Sequence, residues 1–323
     1  MKKIFLLVLT VALGVPAGEA SLTLARTIPL GGIEGRIDHF GYDPAGGRLF
    51  VAALGNNTVE VVNLKQGKVV HSISGLSEPQ GIFFVPEFNR LYIANGGDGA
   101  LRIYDGTDFS PITTVKLDDD ADNVRYDAVA KRIYVGYGSG AIAIVDAAKN
   151  VKAGEIPVSA HPESFQLEKS GSRIFINVPG AHNVTVADRN EKITAGKWSL
   201  GLVAANFPMA LDEADHRVFV GCRLPARLLV FDTEAGKEVA KLDLHGDCDD
   251  VFYDPSRHQI YASCGEGFID VFAQADADHY SLKESIPTVH RARTCLFADD
   301  HLYLAVPRRG EETAEIRDYS IGR

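Results

Sequence analysis

The chain has 323 residues, with 33 Lys and Arg against 43 Asp and Glu and a formal net charge of −10. That acidic balance lacks the basic footprint of a protein that tracks a phosphate backbone, which argues against nucleic acid as a general partner. Its four cysteines form no CxxC pair and no CxxCH motif, so neither a thiolate metal centre nor attached haem organises the sequence.

Residues 1–20 (MKKIFLLVLTVALGVPAGEA) place two lysines before a short apolar run and small residues at Gly18 and Ala20. This is the pattern of a secretory signal peptide cleaved before Ser21. The apolar run is short for a membrane span, no cysteine near the cleavage point offers a lipid anchor, and no later stretch approaches spanning length. The expectation is an exported protein, periplasmic or secreted, whose residues 21–323 form one domain.

From Ser21 onward the chain repeats itself. The ends of successive apolar strands fall at Tyr42, Val85, Tyr126, Leu167, Leu211, Tyr253 and Phe297, spaced 43, 41, 41, 44, 42 and 44 residues apart. A turn follows each, and then a second strand: Arg48-Leu-Phe-Val, Arg90-Leu-Tyr-Ile, Arg132-Ile-Tyr-Val, Arg173-Ile-Phe-Ile, Arg217-Val-Phe-Val, Gln259-Ile-Tyr-Ala and His301-Leu-Tyr-Leu. A third Val/Ile-rich strand recurs in every copy, and a fourth in all but the last. Four-stranded units of this period are the mark of propeller blades, which must stack radially because one sheet cannot bury both of its faces. The predicted fold is therefore an all-β, seven-bladed propeller of antiparallel blades. Ser21 to Leu30 supplies the fourth strand of the last blade and closes the ring. Helix is confined to a single turn at Pro111 or Glu311.

The loops that enter the innermost strands share one face, the top, with those joining second to third strands. Four residues before the strand ends stand Asp38, Gly81, Asp122, Glu163, Phe207, Asp249 and Arg293, with Gln80, Asn123, Asn206, Asp250, His39 and His161 beside them. If the inner strands line the channel, these side chains converge at its top mouth. Oxygen ligands meeting from several strands suit Ca²⁺ or another divalent cation, and a crowded carboxylate has a raised pKa. The same residues also serve as strand caps bonded to loop amides and channel water, and that reading stays open. Arg223, Arg227, Arg293, Arg308 and Arg309, all in copies five and seven, offer a cationic side for a carboxylate or phosphate. Singly, each is a solvated surface charge. Cys248 is placed to pair with Cys222 or Cys264, and His245 lies nearby. No nucleophile elbow, P-loop, dinucleotide fingerprint or zincin helix is present; Ser139 sits in a Gly138-Ser139-Gly140 turn with no helix after it.

The second strands carry a resemblance. Tyr92-Ile93-Ala94-Asn95, with the looser copies Phe50-Val51-Ala52-Ala53 and Tyr134-Val135-Gly136-Tyr137, resembles the repeat of the bacterial YVTN-repeat (YncE-like) β-propellers. Val59-Glu60-Val61-Val62-Asn63 and Ile142-Ala143-Ile144-Val145-Asp146 are similar to that family's third strand. The likeness runs over about residues 30–320 and implies the propeller fold. Its functional implications are mixed: exported binding and scaffold proteins, companions of periplasmic quinone-cofactor oxidation, one DNA binder, and relatives of lactone hydrolases, with no shared catalytic motif. Six-bladed calcium-dependent lactonases hold one ion with Glu, Asn and Asp at strand entries, and Glu163, Asn206 and Asp249 are the matching types here. The leading expectation is a binding or interaction module that takes a protein partner or small anionic ligand at the top of the channel. A metal-dependent hydrolase with His39 or His161 as base comes second, and an accessory to an oxidation system third.

Overall fold

The computed structural model describes residues 21–322; the segment read as a signal peptide lies outside them. Among the described residues there are seven four-stranded antiparallel sheets, and each is one blade. In blade 1 the order runs outward from the channel through β2 (Phe40–Asp43), β3 (Arg48–Ala53), β4 (Thr58–Asn63) and β5 (Lys68–Ile73). Blades 2 to 6 repeat this over residues 79–116, 124–157, 165–199, 204–243 and 248–287. Blade 7 takes its three inner strands from residues 295–321 and its outer strand from β1 (Leu22–Leu30). Leu22 pairs with Ile321 and Leu30 with Ala314, so the two ends of the chain close the ring as predicted.

The alternation of side chains explains the packing. Second and third strands are apolar on both faces because each face meets another blade, whereas outer strands such as Pro111–Lys116 are largely exposed. The buried apolar residues fall into seven clusters, each spanning two neighbouring blades. Pro111 opens a strand rather than a helical turn, since its fixed φ suits a sheet edge where no N–H is needed. The helical turns that do form are three single 3₁₀ turns at Leu54–Asn56, Pro86–Phe88 and Pro179–Ala181. No described helix is long and apolar enough to cross a membrane.

The basic residue that opens the second strands has a structural task on the bottom face. Arg48 donates to Gly106 O (2.8 Å), Arg90 to Ala147 O (2.6 Å), Arg173 to Thr233 O (2.7 Å) and Arg217 to Ala277 O (2.8 Å). Each reaches the turn between third and fourth strands of the next blade. Arg257 does the same to Gly322 O (3.0 Å), Arg26 joins blade 7 to Leu64 of blade 1, and Arg189 of blade 4 pairs with Asp127 of blade 3 (2.7 Å). A guanidinium therefore spans every blade interface. Several are anchored by a buried carboxylate of their own blade, as Arg48 is by Asp43 and Arg173 by Glu168.

All four cysteines are free and buried. Cys248 and Cys264 lie opposite each other in the ladder of blade 6, and Cys222 shares an apolar interface with blade 4. They pack as small hydrophobic side chains in place of the expected disulfide. Burial pushes the Cys222 thiol up to about 12 and holds Cys248 and Cys295 well above their ordinary value, so these three are not ready thiolates. His245 is likewise committed, with Nδ1 at 2.8 Å from Asp270 and its ring stacked on Phe268.

Candidate functional site at the top of the channel

The inner-strand entries do converge. A cavity of about 360 Å³ at the top of the channel is lined by Asp122, Glu163, Phe207, Asp249 and Arg293, five of the seven positions in one repeat register. Arg36, His39, Gln80, Asp120, Asn123, His161 and Arg223 complete most of the wall. The register shows its own logic at Gly81. A Cβ there would stand 2.2 Å from Asp122 O, so only glycine lets the blade 3 entry loop close over blade 2.

Two overlapping groups of ligand-type side chains sit on the blade 1–3–4 side. Asp38, His39 and Asp122 form one, and Asp122, His161 and Glu163 the other; within each group the ligating atoms all lie within 4.8 Å of one another. Their environments differ. Asp38 is fully buried between Arg36 (3.1 Å) and His39 (3.4 Å). Burial alone would raise its pKa, but the His39 and Arg36 charges overcome that and hold the carboxylate below its usual range. His39 is driven the other way: burial opposes its charge, yet the Asp38 carboxylate lifts it to about 10. His39 is thus an imidazolium at neutral pH.

Asp122 has no comparable cation in contact. Burial pushes it up to about 7, helped by repulsion from Glu163 and Asp38 and opposed by His39. Glu163 is raised to about 7 by burial and by Asp249, and Asp250 to about 7 chiefly by burial. Asp122 is only 5% exposed, and its Oδ1 has no hydrogen-bond partner. An orphaned buried carboxylate oxygen costs stability unless something absent from the bare protein meets it. His161 lies on the same wall: its Nδ1 is 2.7 Å from Gly138 O and its Nε2 is 3.8 Å from Asp120, so Nε2 is the nitrogen left to accept. One imidazole nitrogen and two carboxylates form an open donor set for a divalent cation.

The lactonase-like set of Glu163, Asn206 and Asp249 is not assembled in this way. The Asn206 amide nitrogen donates to Asn177 Oδ1 (2.9 Å) and Asn183 O (3.0 Å) of the neighbouring blade, away from the cavity wall. Asp249 is held by Arg223 and by Arg293 Nε (3.0 Å), while Asp247 takes Arg293 Nη1 (2.7 Å). The cationic side is therefore neutralised: Arg223 and Arg293 line the mouth as ion pairs, and the Arg223 guanidinium also stacks over Phe207 at 4.1 Å. Arg227, Arg308 and Arg309 pair with Asp243, Glu34 and Glu312 outside the cavity. Asp250 lies deeper, with Oδ2 accepting from Cys295 N (2.7 Å). Sequence reading missed Arg36 and Asp120; the run Asp118-Asp119-Asp120 ahead of Asp122 carried a trace of the latter.

No family model matches the chain, and no curated protein sequence matches it. Solved structures do. A chain of a mitotic checkpoint complex is similar at 15% identity and a TM-score of 0.79, covering 98% of this chain and 99% of that one. A chain of Kuenenia stuttgartiensis hydrazine synthase is similar at 16% identity and a TM-score of 0.72, covering 85% and 94%. At such identities the likeness shows the fold alone: this is a seven-bladed β-propeller, an architecture shared by proteins of unrelated function.

Proposed function

We propose that this protein is an exported propeller of the YVTN-repeat type that acts as a binding module, with a divalent cation at the top mouth as part of its ligand site. The observation that carries the reading is the buried, unpartnered Asp122 Oδ1 beside His161 Nε2 and Glu163. Two carboxyls raised to about 7 by burial and crowding are the electrostatic signature of a place where a cation relieves repulsion. Export draws support from the first described residue. The Ser21 backbone nitrogen lies 2.9 Å from Glu284 Oε2, so cleavage before Ser21 would create an α-ammonium with a carboxylate already in place.

Hydrolysis of a lactone or ester is the second reading, because the same cation would polarise a carbonyl. In that case the base is His161 or a cation-bound water and not His39, whose proton is held to about 10. The test is thermal unfolding of the mature protein in EDTA and then with Ca²⁺, Mg²⁺, Mn²⁺ or Zn²⁺. A cation present at 100 times its Kd stabilises by about 2.7 kcal/mol, and Glu163→Gln should remove the shift. No shift with any of the four ions sinks the cation reading. Export is checked by the mass of the secreted chain, expected to begin at Ser21.

A further inference from the structure

Below the top mouth the channel widens into a second cavity of about 420 Å³, within the range of small-molecule sites. It has a ring of its own, set by the repeat. The residues one position before the seven strand ends are Gly41, Phe84, Arg125, Gln166, Ala210, Phe252 and Leu296, and all seven line it. Small and apolar side chains suffice to fill such a ring. Arg125 is its one charged member.

Arg125 lacks what the other channel-facing arginines have. Arg36, Arg223 and Arg293 each meet a carboxylate, whereas among the described residues Arg125 has none within 4.0 Å. Its guanidinium reaches only Val124 O (3.0 Å) and Ser164 Oγ (3.4 Å) and lies over the Phe165 ring at 5.6 Å. The nearby acids are already engaged, Asp127 by Arg189 and Glu168 by Arg173. Asp250, which lines the same cavity, and Asp122 act on it only from beyond ion-pair distance, and burial lowers its pKa from the ordinary value, although a guanidinium stays charged. Five N–H groups in a planar fork are thus presented to a mostly apolar chamber with most of them unspent. The next residue repeats the pattern. The buried Tyr126 hydroxyl has no partner, and it lines a bottom-side pocket that shares Phe83, Arg125 and Gln166 with the channel cavity.

We propose that the lower channel binds a small organic carboxylate with an apolar body. Arg125 receives the carboxylate, and the body packs on Phe83, Phe252 and Leu296. The site is separate from the cation cluster above it and does not depend on that reading.

The test is calorimetric titration of the full mature protein with benzoate and hexanoate, against benzamide and hexanamide of the same shape without charge. Either acid is expected to bind at least about tenfold more tightly than its amide, the worth of one charge-assisted contact. Arg125→Met should erase that difference, and Arg102→Gln, a surface charge paired with Asp98, should change nothing. The comparison of acid with amide on the unaltered protein stands even if Arg125→Met does not fold. Equal binding of acids and amides, or no binding of either acid at concentrations where a weak millimolar site fills, overturns the proposal.

Discussion

The two ends of the channel use charge in opposite ways. At the bottom, an arginine crosses every blade interface to a carbonyl or carboxylate of the adjoining blade, and its donors are spent in doing so. At the top mouth, charges meet one another across the cavity, and on the blade 1–3–4 side they are unbalanced, with a buried oxygen on Asp122 and no donor to satisfy it. The bottom repeats because closing a ring is the same problem seven times. The top differs from blade to blade, as the proposed ligand site requires, since a ligand is contacted by specific side chains and not by a repeat. Satisfied charge belongs to the scaffold here, and the unsatisfied charge is where the proposed cation would sit.

That contrast can be broken from either end. The largest stability effect belongs to the bottom. Arg173→Ala removes the partner of Glu168, whose side chain is 8% exposed, together with the bond to Thr233 O. A buried carboxylate left alone costs about 3 kcal/mol, read from urea unfolding. A loss below about 1 kcal/mol would show that the arginine ring adds little beyond packing.

The top should behave in the reverse sense. Without added cation, Asp122, Glu163 and Asp250 are raised to about 7 in the folded state. The stability they contribute is full below about pH 4 and is lost as pH rises through about 7. His39, raised to about 10, keeps its contribution below about pH 6.5 and loses it toward pH 10. Stability should therefore fall between about pH 5 and pH 8, and Asp122→Asn should flatten the decline. Stability that rises over this interval would contradict the account. Asp38→Asn is expected to return His39 to its ordinary range or below, visible as an imidazole titration near neutrality in ¹⁵N NMR; an unchanged His39 would mean that Asp38 is not its counter-charge. The smallest effect is at the rim, where Arg308 and Glu34 are both exposed. Arg308→Ala should cost less than about 0.5 kcal/mol.

Much of this was legible in the sequence, for a physical reason. A blade is specified by local alternation and turn chemistry, so Arg90-Leu-Tyr-Ile and its kin announced both strand and period. The entry register announced Asp122 and Glu163, because residues at one offset from a strand end must share one rim of the ring. Partnership was not legible. Whether Asp249 coordinates an ion or pairs with Arg223 and Arg293 depends on side chains contributed by three blades, and the Asn206 amide nitrogen turned out to be held by Asn177 and Asn183 away from the cavity. Arg125 was passed over although its offset already singled it out, since a lone arginine in one copy gains meaning only when it is seen to reach no carboxylate at ion-pair distance.

The most direct test of the central claim is a crystal of the mature protein grown with Mn²⁺ and measured at the manganese edge. An anomalous peak is expected between Asp122, His161 Nε2 and Glu163, lost in Glu163→Gln. An empty cluster, or a peak confined to the surface, would show that the unbalanced charge at the top mouth is not a cation site.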